Sequence, residues 1–225
     1  MRMGGVGVRP VSPEVLVQEL AERITNVEGW VRVGIDGADA ARPAELADAL
    51  VDPVRLRGRL VIRVRTVDHL RPASLRFERG RTDPDSFYED WLDVDGLRRE
   101  VLEPLATGGT GRIRPSRWDA AADRADRTDY VRVPARGVVL LSGPLMLGRG
   151  LPLDLTVHLD LSPAALVRRT PVDLAWTLPA YRRYAEEVAP AQVADVVVRV
   201  DDARHPAVAE REPHRPPDTD RGGSP

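Results

Sequence analysis

Residues 31–50 join an apolar, β-branched run to a tight turn and then to a helix with alanine and leucine at helical spacing. A strand, turn and helix in this order is the setting of the G-x-x-x-x-G-K-[ST] loop. That loop works because glycine lets backbone N–H groups wrap a phosphate, lysine reaches the β/γ-oxygens, and a hydroxyl holds Mg²⁺. Counted from Gly37, the second glycine position is Arg42, the lysine position Pro43 and the hydroxyl position Ala44. No lysine elsewhere can compensate, since all 33 basic residues are arginine. The residues left to meet an anion are Asp36, Gly37, Ala38, Asp39, Ala40, Ala41, Arg42 and Ala44. Gly37 suits either a close approach of phosphate or merely a tight strand–helix connection. The Arg42 guanidinium can take over part of the lysine's role, or it is an exposed arginine at a helix start. Pro43 fits a first helical turn, and it removes one N–H from any anion.

The elements that would position these groups follow from periodicity. Ser12-Pro13-Glu14 opens a helix with a capping hydroxyl, a proline at the first position and an acid in the first turn. Strands are predicted at 31–36, 60–64, 130–133, 137–142, 155–159 and 194–200, rich in Val, Ile and Leu. Helices are predicted at 44–51, 83–91, 95–105, after Ser162-Pro163, and at 178–188. Alternation of strands and helices implies an α/β fold, a doubly wound and mostly parallel sheet. Residues 11–203 are expected to form one domain. Residues 1–10 are expected to be flexible, and 204–225, rich in Pro, Asp, Arg and Gly, disordered.

Composition excludes several classes. The formal net charge of −2 gives no general attraction to nucleic acid or anionic membrane. Without cysteine there is no disulfide framework, thiolate metal site or thiol nucleophile. No apolar run reaches the ~18 residues of a membrane span, and residues 1–10 lack the apolar stretch of a secretory signal. A soluble, cytoplasmic protein is expected. No His/acid cluster has metal-ligand spacing, and His158 reads as a core or sheet-surface residue.

Several segments in sequence order resemble the uridine kinase family, in particular its actinobacterial branch. They are Val-Gly-Ile-Asp-Gly at 33–37, the Arg-Pro-x-x-x-Arg run from Arg71 to Arg76, and Gly-Arg-Thr-Asp-Pro-Asp-Ser-Phe-Tyr at 80–88. The helix at 97–105, Gly-x-x-Arg at 111–114, Tyr-Ala-Glu-Glu-Val-x-Pro at 184–190 and Ala-Asp-Val-Val-Val at 194–198 complete them. The resemblance covers residues 31–206. It implies a P-loop NTPase-type three-layer sandwich and ATP-dependent, Mg²⁺-assisted phosphorylation of a nucleoside 5′-hydroxyl. It places a general base near Asp68, although the matching acid position is Val67, and a residue shifted by one on a strand faces the other way. His69 beside it makes an acid–imidazole pair or a plain surface strand end. Tyr88, Trp118 and Asp119 fall where ribose and base are held, Arg76 in a basic arm, and Arg169 in a lid. Core packing and solvated loops account for the same residues. The acid expected at the end of the strand at 137–142 is Ser142.

These departures favour a nucleoside- or nucleotide-binding pseudokinase. Two alternatives stand beside it: an active uridine kinase using Arg42 and Asp68, and an interaction protein, such as a homo-oligomer, using only the fold.

Overall fold

The computed structural model describes residues 7–210. Five parallel strands form its centre: β2 (Val31–Asp36), β3 (Val61–Arg65), β8 (Val138–Gly143), β9 (Leu155–Asp160) and β10 (Val196–Arg199). Two antiparallel strands, β11 (Ala207–Glu210) and β1 (Gly7–Pro10), extend one edge, giving the order β1-β11-β10-β9-β2-β8-β3. Every residue of β8 is buried, which is why its sequence is a continuous apolar run: both faces of a parallel strand are covered. The edge strands correct two expectations. Gly7–Pro10 and Ala207–Glu210, expected to be flexible or disordered, pair with each other and with β10, while residues 1–6 and 211–225 lie outside the described residues.

Helices α1 (Pro13–Asn26), α2 (Pro43–Ala49) and α3 (Val51–Leu56) cover one face. Ser12 caps α1, its Oγ accepting from the Val15 N–H at 3.3 Å, and Leu16, Leu20, Ala21 and Ile24 bury the predicted stripe. These side chains pack with Val31, Val33, Ile35, Val138 and Leu140. The other face carries α8 (Leu178–Glu187), Met146 and the segment 94–105, which pack on Val64, Val139 and Leu141. Short helices α4 (Ala73–Arg76), α5 (Pro84–Glu89), α6 (Val94–Leu97), α7 (Pro163–Arg169) and α9 (Pro190–Val193) fill the connections. Two short antiparallel pairs stand outside the main sheet, β4 (Arg112–Ile113) with β7 (Val131–Arg132) and β5 (Trp118–Asp119) with β6 (Arg124–Ala125). The long helix predicted at 95–105 is instead α6, a π-helical turn over Arg98–Leu102 and a 3-10 turn over Glu103–Leu105. Pro104 supplies no N–H to continue regular α-helix bonding.

Candidate functional site

Strand β2 delivers Asp36 to the carboxyl edge of the sheet, where it is fully buried. Its Oδ1 accepts from the Met146 N–H at 2.9 Å. Parallel pairing sets Asp36 opposite His158 of β9, and Oδ2 lies 2.7 Å from His158 Nδ1. An ionised carboxylate only accepts, so Nδ1 carries the proton. Tyr184 of α8 adjoins this pair: its Oη accepts from the Leu147 N–H at 3.0 Å. Burial, and then the Asp36 charge, push the Tyr184 phenol well above its ordinary value. The strand-end acid is therefore consumed inside the protein.

In the loop after it, three N–H groups are bonded within the protein. Asp39–Ala41 form one 3-10 turn. Gly37 N–H donates to Gly143 O at 3.3 Å, Ala41 N–H to Ala38 O at 2.7 Å and Arg42 N–H to Asp39 O at 2.9 Å. Helix α2 begins with Pro43 and runs seven residues. Arg42 adopts φ 60° and ψ 51°, the left-handed conformation that favours glycine, at the position where the motif has its second glycine. Its side chain reaches Glu45 at 3.4 Å, with both side chains about two-thirds exposed. A non-glycine residue pays about 1 kcal/mol for that backbone, so Arg42→Gly should raise stability by about that amount in urea unfolding.

Helix α8 covers this loop. Burial pushes the Tyr181 phenol up, assisted by the Asp39 charge, while the Asp39 backbone N–H opposes it. Phe87 of α5 meets Trp91, Trp176 and Tyr181 edge-on, with ring centroids 5.1, 5.6 and 5.8 Å away. Arg183 pairs with Asp85, Glu89 and Glu187. Aromatic packing and ion pairs thus hold α8 against α5.

Below the loop lies Arg63 of β3. Its Nε donates to Asp48 Oδ1 at 2.8 Å, and Nη1 to Leu140 O at 3.1 Å. Its Nη2 reaches Ala44 O at 3.1 Å and Ser142 Oγ at 3.3 Å. Ala44 and Ser142 are the positions where a working loop has its metal-binding hydroxyl and where the family resemblance expects an acid. A permanent cation bonds to both. These residues do not fit Mg²⁺.

Beside this closed half is an open cavity of about 1060 Å³ at the end of β3, containing Asp68, Trp118 and Asp119 of the expected set. Four guanidinium groups, Arg65, Arg114, Arg124 and Arg127, face three carboxylates there. Strand β3 ends at Arg65, and Thr66–His69 form a 3-10 turn, so strand alternation does not govern Asp68. Its carboxylate receives Nε and Nη2 of Arg65, both at 2.8 Å. Trp118 is half-buried, with Nε1 donating to Asp123 Oδ1 at 3.3 Å. Asp119 Oδ1 accepts from the N–H groups of Ala121 and Ala122 at 3.1 and 3.0 Å, which shapes the β5–β6 turn.

The remaining expected residues stand elsewhere. His69 is fully buried, with Nε2 2.9 Å from Pro115 O and Nδ1 without a partner; burial holds its pKa below the ordinary value. Arg76 is buried, donating to Arg71 O at 2.7 Å and Asp123 at 3.3 Å. Tyr88 donates to Glu187 at 3.1 Å. Arg169 donates to Val200 O at 2.9 Å and Asp201 O at 2.7 Å. None of the four lines the open cavity. Sequence reasoning missed Arg63, Arg65, His158 and Tyr181. The available signal for Arg63 was a charge inside an apolar strand, where charges are rarely buried without partners.

No family model and no curated protein matches the sequence. Solved structures do match. A possible uridine kinase from Bacillus stearothermophilus aligns at 22% identity with a TM-score of 0.66, covering 82% of this chain and 97% of that one. The chain shares the α/β fold of that structure. A protein put forward as a fructose transport system kinase from Silicibacter sp. TM1040 aligns at 20% identity, TM-score 0.56, covering 80% and 91% of the two chains. At these identities the shared feature is the fold alone. No helix among the described residues is long and apolar enough to cross a membrane.

Proposed function

We propose that the chain is a nucleoside- or nucleotide-binding pseudokinase: it keeps the acceptor-side groove of a uridine-kinase-like fold and has filled the phosphate-donor half with its own groups. The observation that carries this reading is the pairing of an open, arginine-lined cavity with an occupied loop. On the closed side Arg63 bonds Ser142 and Ala44, Tyr181 of α8 meets Asp39, and Asp36 is bound to His158 and Met146. On the open side Trp118 offers a partly exposed ring for stacking a base, and the guanidinium groups offer donors to ribose or phosphate oxygens. ATP and Mg²⁺, which the family resemblance implies, have no prepared place here. Asp68, paired with Arg65, serves in the groove wall rather than as a base.

Calorimetric titration with uridine and UMP tests the reading. Both should bind, and EDTA should leave their affinity unchanged. Trp118→Ala should weaken both about tenfold or more, the worth of one base–aromatic stack. Failure of both ligands to bind, or an unaltered affinity in the variant, would sink it.

A further inference from the structure

A second cavity, of about 550 Å³, lies between the end of β9, α7 and α8. The acceptor-side proposal makes no use of it. Its walls include Leu145, Leu159, Leu166, Tyr181 and Tyr184, and His158 lines it as well. His158 is more than nine-tenths buried. Its Nδ1–H is directed to Asp36, which leaves Nε2 as an acceptor with no partner among the described residues. That nitrogen is set against an apolar wall of small-molecule size, and a ligand that covers it without a donor leaves it unpaired. The wall is held deliberately: Leu145 takes a left-handed φ of 58°, and the next residue, Met146, is pinned by its N–H to Asp36. Of the cavity's charged side chains, Asp160 and Glu186 outnumber Arg182. Negative excess and an acceptor nitrogen both disfavour an anion.

We infer that this cavity is a binding site for a small, uncharged aromatic molecule bearing one hydroxyl, a phenol, which donates to His158 Nε2 while its ring fills the apolar space. The Asp36–His158 pair fixes the imidazole in the accepting tautomer, so discrimination falls on the ligand's donor.

The test titrates the full chain with 4-methylphenol, toluene and 4-methylbenzoate, followed by thermal shift and by amide chemical shifts. 4-Methylphenol should bind about tenfold more tightly than toluene, the cost of leaving one buried acceptor unpaired, and 4-methylbenzoate should not bind. His158→Asn keeps an N–H for Asp36 but removes Nε2; it should erase the preference for 4-methylphenol over toluene. Leu166→Trp, which fills the cavity without touching the Asp36–His158 pair, should abolish binding of both and so covers the case in which His158→Asn does not fold. Equal binding of 4-methylphenol and toluene by the unaltered chain overturns the inference. So does tighter binding of 4-methylbenzoate, no binding of any probe, or binding that survives Leu166→Trp.

Discussion

Asp36→Ala is expected to destabilise the fold by about 2–6 kcal/mol, since each of two buried donors left without an acceptor costs ~1–3 kcal/mol. The carboxylate is fully buried and accepts from Met146 N–H and His158 Nδ1–H. Alanine would leave both donors without a partner, beside the Tyr184 hydroxyl. The loss should spread, because Asp36 joins β2 to β9 and to the loop at 144–147. Asp36→Asn keeps the size and one acceptor oxygen, so it should cost less. Urea midpoints of the two variants measure the difference. A loss below ~1 kcal/mol for Asp36→Ala would mean that the pair contributes little to holding the closed half together.

Arg59→Met should cost at least about 3 kcal/mol, because each buried carbonyl left without a donor carries ~1–3 kcal/mol. Arg59 is 1% exposed and has no acidic partner among the described residues. Its guanidinium donates instead to five carbonyls: Arg136 O at 2.6 Å, Ile24 O at 3.2 Å, Thr25 O at 3.3 Å, Val27 O at 2.5 Å, and Gly29 O. Most of these lie at the carboxyl end of α1, where the helix dipole supplies partial negative charge. Burial lowers the Arg59 pKa, and the nearby Arg136 charge adds to that. Arg59→Lys should recover only part of the loss, since one ammonium lacks the planar fork that spans these acceptors. Urea unfolding gives the value. A midpoint equal to that of the unaltered chain would show that water can replace the guanidinium.

The parts of the fold written in local periodicity were legible in the sequence. The α1 stripe, the buried run of β8 and the strand–turn–helix at residues 31–50 needed only spacing and capping residues. The edge strands were not legible. Gly7–Pro10 and Ala207–Glu210 look like linker, and only pairing between distant parts of the chain makes them strands. The site divides in the same way. The missing glycine, lysine and hydroxyl of the loop could be counted. What fills the loop could not, because its occupants come from other strands. Arg63 reaches Ser142 only because β3 lies beside β8, and His158 reaches Asp36 only because β9 lies beside β2. His69 shows the converse. Its neighbours in sequence suggested an acid–imidazole pair or a surface strand end, but the 3-10 turn sends it into the interior.

The proposed function requires a closed donor half and an open acceptor half. The most direct measurement titrates the protein with ATP–Mg²⁺ and with uridine, separately and together, while ADP release is followed in the same samples. The account predicts heat from uridine, none from ATP–Mg²⁺, and no ADP above the protein-free rate. Saturable ATP–Mg²⁺ binding with ADP release that depends on uridine would contradict it.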